Sequence, residues 1–341
     1  MRRLFFATAL TMTLAAAAFG VAEEQKLPVI MVTDISGLDP IGSNVVAWEG
    51  VKQAAVEYSC PVSVTTSEDE EDYAANVNEA AGKAKIVVTV GTTMVDAVKR
   101  AAAANSATYF VHVGDKIDGY TNVVSYGFKE EESGFLAGVV SGLYTRTGKA
   151  AVVVNETNAN SGRYEAGFAA GVKSVSASAG KSVSVVRIDA GEVRPVSGGS
   201  IALQATGSGC DVAAMLADVV GGYALTELRE SPGIRIVWGD VDRKLKPDGI
   251  VLANTVKRPD VAVFEGIKSA VDLAWEPGYK ELGYREGAIT LENEGIDASL
   301  GADGLGMLEA AKGLLARGEI VVPTRKEDVV EWGAAGVGYK R

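Results

Sequence analysis

The sequence predicts an α/β protein of two lobes, each a doubly wound parallel sheet covered by helices. Short segments rich in β-branched residues alternate with Ala-rich segments whose apolar residues recur at helical spacing. This alternation runs through the chain twice, and strand, helix and strand in series build a parallel sheet with right-handed crossovers. A chain of 341 residues is also long enough for two separate hydrophobic cores.

The first series of elements occupies residues 28–128. Its predicted strands end in polar residues or glycine, and they are PVIMVTD, PVSVTTS, KIVVTVG, TYFVHVG and NVVSYGF. Its predicted helices are AWEGVKQAAVEY, the segment after Tyr73, and TMVDAVKRAAAA. His112 lies in the fourth of these strands, where we expect a histidine that is satisfied within the sheet.

The second series repeats this architecture from residue 149 onwards. Its predicted strands are KAAVVVN, VSVVRID, DVAAML and RIVWGD, and its predicted helices are RYEAGFAAGVKSV, GSIALQATGSG and YALTELRE. The chain then continues through strand IVLANTV, helix DVAVFEGIKSAVDLAW, strand GAITLENEG and helix GMLEAAKGLLARGEI. We expect these last elements to complete both lobes by crossing back between them.

The junction between the two series, VVSYGFKEEESGFLAGVVSGLYTRTGKAAVVV, contains a helix with two distinct faces. One face predicts a stripe for the core, made of Phe135, Leu136, Val139, Val140 and Leu143. Glycines at four-residue spacing would let a neighbouring element approach closely, and they are Gly134, Gly138 and Gly142. The acidic run before this helix, like SEDEED at residues 67–72, is typical of a solvated face or a helix start.

The first 22 residues predict a cleaved signal peptide. They begin MRRLFF, continue through an apolar run too short to span a membrane, and end in the small residues GVA. No cysteine stands near the predicted cleavage site, so we expect no lipid anchor. Later segments lack the roughly 20 apolar residues of a membrane span, and the sequence therefore predicts a soluble exported protein.

Charge and composition exclude several kinds of partner and chemistry. The net charge of −11 argues against binding nucleic acid or an anionic membrane, because those surfaces attract clustered Lys and Arg. The single histidine leaves no His cluster for a metal, and the glycine-containing segments lack the spacing of phosphate-binding loops. We therefore predict no cofactor, no metal site and no catalytic residue. Cys60 and Cys210 are expected in different lobes as buried free thiols.

Polar residues follow several predicted strands, at the edge where ligands bind in open parallel sheets. Asp34 follows the first strand, Thr92 the third and Asp115 the fourth, while Asp240 ends the strand RIVWGD. Such residues also cap helices or form turns, and this alternative stays open for each of them. Lys257 stands just before a new helix. Three alternatives stay open for its ammonium group: it contacts a ligand, it pairs with Asp240, or it lies on the surface.

Collinear segments from about residue 28 to about residue 275 resemble the basic membrane protein (BMP) family. The most specific are KEEESGFLAG and RYEAGFAAGV, and the others include VTDISGLDPIGSNVVAWEG, WGDVDR and LANTVKRPDVAVFEGIKSAV. Members are extracytoplasmic substrate-binding components of ABC importers, and the characterised prototypes bind purine nucleosides. The resemblance implies a type I periplasmic-binding-protein fold, in which two lobes are joined by a hinge. It places the N-lobe at residues 25–127 with 258–290 and the C-lobe at 128–257 with 291–341.

The resemblance also implies roles for individual residues. Asp34 matches the acid that closes the family's first strand, and Asn44 and Trp48 match the asparagine and tryptophan of the stretch that follows. Asp240 and Lys257 match the aspartate and lysine that hold ribose in nucleoside-binding members. These two are the residues that the resemblance identifies most clearly as ligand contacts.

Three positions depart from the family pattern. Ser43 replaces the phenylalanine that stacks on the base, and a hydroxyl offers no stacking surface. Asp218 stands in a stretch that is usually glycine-rich, where it either enters the cleft or caps the next helix. Trp238 replaces a usual glycine, where it either restores a stacking surface or packs beneath the strand. The expected ligand is therefore small, polar and nucleoside-like, and the sequence does not specify which compound it is.

We therefore expect a monomeric periplasmic component of an ABC importer, not an enzyme, that closes on a small-molecule ligand. It would deliver this ligand to an ABC permease in the inner membrane, because a ligand that contacts both lobes favours their closed arrangement. A chemosensory receptor of the same fold is the first alternative. The second is a secreted nucleoside or glycoside hydrolase that uses Asp240 or Asp34, although no nucleophile and base are found together.

Overall fold

The structure of the protein is a computed structural model. It describes residues 26–40, 42–155, 159–190, 198–216, 227–230, 233–241, 250–292, 296 and 300–332. For residues 159, 240 and 241 it describes the backbone and not the side chain. The predicted signal peptide lies outside the described residues, and so does most of the predicted helix YALTELRE.

The described residues form strands and helices that alternate along most of the chain. In order, the strands are β1 (Val29–Thr33), β2 (Val62–Thr66), β3 (Ile86–Val90), β4 (Tyr109–Val113), β5 (Val123–Phe128), β6 (Lys149–Val154), β7 (Ser184–Asp189), β8 (Val212–Leu216), β9 (Arg235–Val241), β10 (Val251–Lys257), β11 (Gly278–Leu282) and β12 (Ile289–Glu292). The helices are α1 (Ser43–Tyr58), α2 (Asp72–Lys83), α3 (Val95–Ala104), α4 (Glu130–Tyr144), α5 (Ala159–Ala179), α6 (Gly198–Gly207), α7 (Pro259–Val271), α8 (Gly301–Arg317) and α9 (Lys326–Glu331). A 3-10 turn, Thr92–Met94, precedes α3.

The strands form two six-stranded sheets, which confirms the predicted fold of two parallel-sheet lobes. The first sheet has the order β2-β1-β3-β4-β5-β11, and its neighbouring strands are all parallel. The second has the matching order β7-β6-β8-β9-β10-β12, in which β12 alone runs antiparallel to its neighbour. We call each sheet with the helices packed on it the first lobe and the second lobe.

Each lobe is held by its own apolar core. In the first lobe, α1 and α7 cover one face of the sheet over Met31 and Val88, while α2 and α3 cover Val87 on the other face. The core of the second lobe includes the fully buried Phe135 and Tyr164. Burying one large apolar side chain stabilises the folded state by about 1.5–3 kcal/mol. Each lobe buries many such side chains, so each can stabilise a core of its own.

Within the described residues the chain crosses between the lobes three times, at residues 128–130, 257–259 and 282–289, and we call these three segments the hinge. They lie side by side, because the Lys129 N–H donates to the Leu282 carbonyl (3.0 Å) and the Arg258 N–H donates to the Ala288 carbonyl (2.9 Å). Phe128 packs against the cores of both lobes. The chain leaves the first sheet after Phe128 and enters the second again at Ile289.

One strand of the first sheet, β11, is absent from the predictions. Its sequence GYKEL places charged residues at its centre, and its residues are mostly half-buried, as on the edge of a sheet. An edge strand of this kind lacks the apolar alternation by which half-buried strands are recognised, and charges on it discourage edge-to-edge pairing. The predicted helix DVAVFEGIKSAVDLAW also ends early, at Val271, and Leu273 has a left-handed backbone with φ 56°.

Helices α4 and α5 pack through glycines on both sides of their interface. The predicted stripe is confirmed, since Phe135, Leu136, Val139 and Val140 are fully buried and the half-buried Leu143 packs against the same core. A side chain on any of four glycines would overlap a carbonyl of the other helix: Gly134 faces Tyr164, Gly138 faces Phe168, Gly167 faces Glu131 and Gly171 faces Phe135. Glycines of each helix thus face carbonyls of the other. The two segments that make these contacts, EESGFLAG in α4 and YEAGFAAG in α5, have similar sequences. The two helix backbones can therefore lie in direct contact only with glycine at these positions.

His112 lies in β4, as predicted, and is fully buried within the sheet. Its Nδ1 lies 2.9 Å from the Thr89 hydroxyl, whereas its Nε2 has no hydrogen-bond partner among the described residues. The histidine is therefore satisfied at one nitrogen. Burial lowers its pKa to about 4, which keeps the imidazole neutral at physiological pH.

Lowering the pH from 6.5 to 5 is expected to destabilise the protein by roughly 2 kcal/mol through His112. Because the pKa is depressed in the folded protein, the unfolded chain binds this proton more readily, and stability falls as the pH drops from 6.5 toward 4. Urea denaturation at several pH values measures the effect. His112→Gln has no imidazole and serves as the control, so an equal pH dependence in both proteins would contradict the prediction.

The two cysteines lie in different lobes, Cys60 in a core of the first and Cys210 in that of the second. Both are buried free thiols, and burial raises the pKa of each. Among the described residues, no helix combines the length and the apolar character that crossing a membrane requires.

Candidate ligand-binding cleft

A cleft of about 530 Å³ opens between the lobes, at the carboxyl ends of the strands of the first sheet. Its described lining comes from both lobes and the hinge: Asp34, Ser36, Gly42, Ser43, Asn44, Val90, Gly91, Thr92, Val113, Gly114, Asp115, Lys116, Gly127, Phe128, Glu130, Asn160, Arg163, Lys257, Pro259 and Tyr279. Six predicted ligand-binding residues line it, and they are Asp34, Ser43, Asn44, Thr92, Asp115 and Lys257. The topology therefore brings them together, as expected for strand ends that share one edge.

Asp34 and Asn44 form a hydrogen-bonded polar pair on the first-lobe wall. Asn44 lies in the first turn of α1 and is 5% exposed, and its Nδ2 donates to Asp34 Oδ1 at 2.8 Å. The same oxygen accepts a hydrogen bond from the Ser36 N–H (3.0 Å). Both groups are thus fixed in position, with one carboxylate oxygen engaged by the protein.

Two glycines shape the floor of the cleft. Gly91 follows β3 with φ 97° and Gly114 follows β4 with φ 141°, a backbone region that side chains disfavour. A Cβ on Gly114 would lie 3.5 Å from the backbone nitrogen of Gly91, so the two loops are in contact. This close approach places Thr92 and Asp115 beside each other at the ends of neighbouring strands.

Lys257 ends β10 on the opposite wall and pairs with the start of α4. Its Nζ lies 3.1 Å from Glu130 Oε1, and the Glu130 residue is only 2% exposed. The expectation of a solvated face for residues 129–132 is therefore wrong, although their role at a helix start is confirmed. Glu131 is also buried, because each of these carboxylates meets a cation from another part of the fold.

Arg163, at the start of α5, connects the two lobes across the cleft. It lies 2.7 Å from Glu131 Oε2 in its own lobe and 2.6 Å from Glu281 Oε1, which belongs to β11 of the first lobe. A second nitrogen of Arg163 reaches the other oxygen of Glu281 at 3.2 Å, so this contact is bidentate. Burial raises the pKa of Glu131 above its ordinary value in spite of the nearby Arg163.

The remaining predicted residues of the second lobe are not on the described lining. Trp238 is fully buried in the core of the second lobe, so it packs beneath the strand and offers no stacking surface. The backbone of Asp240 lies in β9 beside Val256, but its side chain is outside the described atoms. Asp218 lies outside the described residues.

Several cleft residues were not found by sequence reasoning. Tyr279 lies on the strand β11 that the pattern does not reveal, and Arg163 and Asn160 precede the apolar part of α5, where polar residues are ordinary. Glu130 is one of several acidic residues in a row, and nothing in that run marks the buried ones. Contacts between lobes decide these positions, and local sequence does not encode them.

The cations on the described lining are all paired with carboxylates. Lys257 contacts Glu130, Arg163 contacts Glu131 and Glu281, and Lys116 lies 2.7 Å from Asp118. Lining residues also include the carboxylates of Asp34 and Asp115. This balance favours a ligand rich in hydroxyl and amino groups over one with a phosphate. Among the described side chains, no group of three His, Cys, Asp or Glu residues could hold a metal ion.

Two α/β lobes, a polar cleft between them and a hinge of three chain segments together define the class of two-lobed substrate-binding proteins. The family model for PnrA-like ABC transporter substrate-binding proteins (Bmp) matches residues 27–297. The chain belongs to this family and has a substrate-binding role. Substrate-binding proteins of ABC importers act outside the cytoplasm.

Individual relatives agree with this assignment. The chain is 30% identical to the CD4+ T-cell-stimulating antigen of Listeria innocua, over 95% of this chain and 100% of that protein. It is 28% identical to the ABC transporter nucleoside-binding protein BmpA of Lactococcus lactis, over 88% of this chain and 90% of the relative. An ABC transporter solute-binding protein of Aeropyrum pernix has a similar structure, with a TM-score of 0.67 and 21% identity over 89% of this chain and 96% of that one. At that identity the structural likeness concerns the fold alone.

Proposed function

We propose that the protein binds a neutral, nucleoside-like solute in the cleft and delivers it to an ABC permease in the inner membrane. The observation that carries this proposal is the pairing of each described lining cation with a carboxylate, beside hydrogen-bonding groups from both lobes. The similarity to a nucleoside-binding relative supports the same class of ligand. A phosphorylated ligand would have to compete with these carboxylates for its cation.

In this proposal the two lobes hold different parts of the ligand. Asp34, Asn44, Thr92 and Asp115 of the first lobe bind one part, with the Ser43 hydroxyl beside them. Lys257 of the second lobe, together with Asp240, holds a pair of neighbouring hydroxyls, as on a ribose, because an ammonium donates to hydroxyl oxygens while a carboxylate accepts from them. Asp218 is a further candidate contact from the second lobe.

The proposal extends to the setting of the protein. Residues 1–22 act as a cleaved signal peptide, and the mature protein works in the periplasm as a monomer. It returns its ligand chemically unchanged, because it is a binding protein and not an enzyme. Prolonged incubation with the bound compound, followed by chromatography, should recover that compound without products.

Three measurements test the ligand class. Mass spectrometry of compounds released from protein purified without refolding should recover a nucleoside. The unfolding temperature of the protein should rise with at least one of four nucleosides: adenosine, guanosine, uridine or cytidine. AMP should not raise it. Lys257→Met should weaken binding of that nucleoside by about 10-fold or more, since a charge-assisted hydrogen bond contributes about 1.5–3 kcal/mol. Recovery of an unrelated metabolite, with no response to any nucleoside, would overturn the proposal.

A further inference from the structure

Tyr279 presents an aromatic side chain to the hinge-side end of the cleft. Its strand, β11, lies next to β5 at the edge of the first sheet. Among the described residues, the aromatic side chains that line the cleft are Phe128 and Tyr279. At the other end of the same wall Ser43 is exposed, and it offers a hydroxyl and no ring.

Two contacts of its hydroxyl hold the Tyr279 ring in position. Its hydroxyl donates to Glu281 Oε1 at 3.2 Å, and Glu281 is held in turn by Arg163 of the second lobe. The hydroxyl also lies over Gly127, where any side chain would overlap it. The ring is thus positioned before a ligand arrives, and binding does not have to order it.

The Tyr279 ring belongs to the cleft lining, and one of its faces holds a charged group. The ammonium of Lys116, another lining residue, lies 5.8 Å from the centre of the Tyr279 ring. The Lys116 side chain is 63% exposed and pairs with the exposed Asp118, so it can swing into solvent at little cost. What it leaves behind is the flat, electron-rich face of a fixed aromatic ring.

We propose that Tyr279 is a specificity-determining residue, whose ring stacks on the planar ring of the ligand after Lys116 moves aside. This inference rests on the proposed function, since it assumes a ligand with a planar heterocycle. A continuous series of contacts links the two parts of the site. Lys257 meets Glu130, the neighbouring Glu131 meets Arg163, and Arg163 holds the Glu281 that anchors Tyr279. Lys257 and Tyr279 line the same cleft, so a ligand held by Lys257 shares the cleft with this ring.

Calorimetric titration of the four nucleosides into ring-free and ring-retaining variants tests the inference. Tyr279→Leu should weaken binding of the preferred nucleoside by about 10-fold or more, as expected for loss of one base-stacking ring. Tyr279→Phe keeps the ring and should stay within about threefold of wild type. Lys116→Ala removes the displaced group and should bind equally well or more tightly. Tyr279→Thr is a second ring-free variant with a side chain suited to an edge strand, in case the leucine variant folds poorly.

The outcomes separate this inference from the proposed function. If wild type binds a nucleoside and both ring-free variants bind it equally well, the stacking role is wrong and the proposed function stands. If Tyr279→Phe loses as much affinity as Tyr279→Leu, the hydroxyl matters and the ring does not, which also overturns the inference. If wild type binds no nucleoside, the proposed function fails. The same variants are then titrated with the compound recovered by mass spectrometry, and an undiminished affinity in the ring-free variants would again refute stacking.

Discussion

Replacing Gly138 by alanine is expected to cost about 3 kcal/mol of folding free energy, because the new methyl group would overlap the Phe168 carbonyl. A backbone carbonyl inside a helix cannot rotate away, so α4 and α5 would have to move apart along their interface. That movement would disturb the apolar core of the second lobe, which includes residues of both helices. Urea denaturation followed by circular dichroism measures the loss.

Gly82→Ala is the matched control for this substitution. Gly82 lies in α2, and a methyl group there would meet no atom within 4 Å. Alanine favours the helix over glycine, so this variant should gain about 0.5 kcal/mol. If Gly138→Ala were as stable as wild type, the close approach of α4 and α5 would not matter for stability.

Replacing Arg163 by methionine is expected to destabilise the protein by about 3 kcal/mol at pH 7. Glu131 is 6% exposed and lies 2.7 Å from this guanidinium, so the substitution removes a cation from a buried carboxylate. Methionine keeps the apolar stem of the side chain, and the loss therefore reports on charge more than on packing. Equilibrium unfolding in urea measures it.

Glu281→Gln is the control that separates the two contacts of Arg163. The Glu281 side chain is 34% exposed, so loss of its charge should cost less than about 1 kcal/mol. In Arg163→Met the pKa of Glu131, already raised by burial, should rise further, so that folding takes up a proton. The cost of this substitution should thus shrink as the pH falls from 7 toward 5 and grow as the pH rises. Equal costs in the two variants would contradict this account.

Much of the fold is readable from the sequence because its elements are locally encoded. The strand KIVVTVG becomes the fully buried β3, and the polar residues after such strands reach the cleft because parallel strands end at one edge. The four-residue spacing of glycines in the junction helix also predicts close packing. In an apolar helix, the common reason for such spacing is the close approach of a neighbouring element. Asp34, Thr92 and Asp115 are found in this way without knowledge of tertiary contacts.

The rest depends on tertiary contacts that no short segment specifies. The acidic run at the start of α4 looks solvated until Lys257 and Arg163 arrive from distant parts of the chain and make burial of Glu130 and Glu131 tolerable. Tyr279 lies on an edge strand, and the charged residues of that strand keep its sequence from being recognised as a strand. Trp238 shows the converse: it replaces a usual glycine of the family, which left open a stacking surface or packing beneath the strand, and the tertiary structure buries it in the core.

The three parallel connections between the lobes limit the ways in which the lobes can move. A single linker would permit rotation about any axis, whereas three segments that lie side by side and are hydrogen-bonded to one another resist twisting and sliding. We expect the easiest remaining motion to be rotation about the line on which they cross, a single degree of freedom. Under the proposed function, a ligand that contacts both walls acts on this one coordinate, and a permease that recognises the angle between the lobes would recognise occupancy directly.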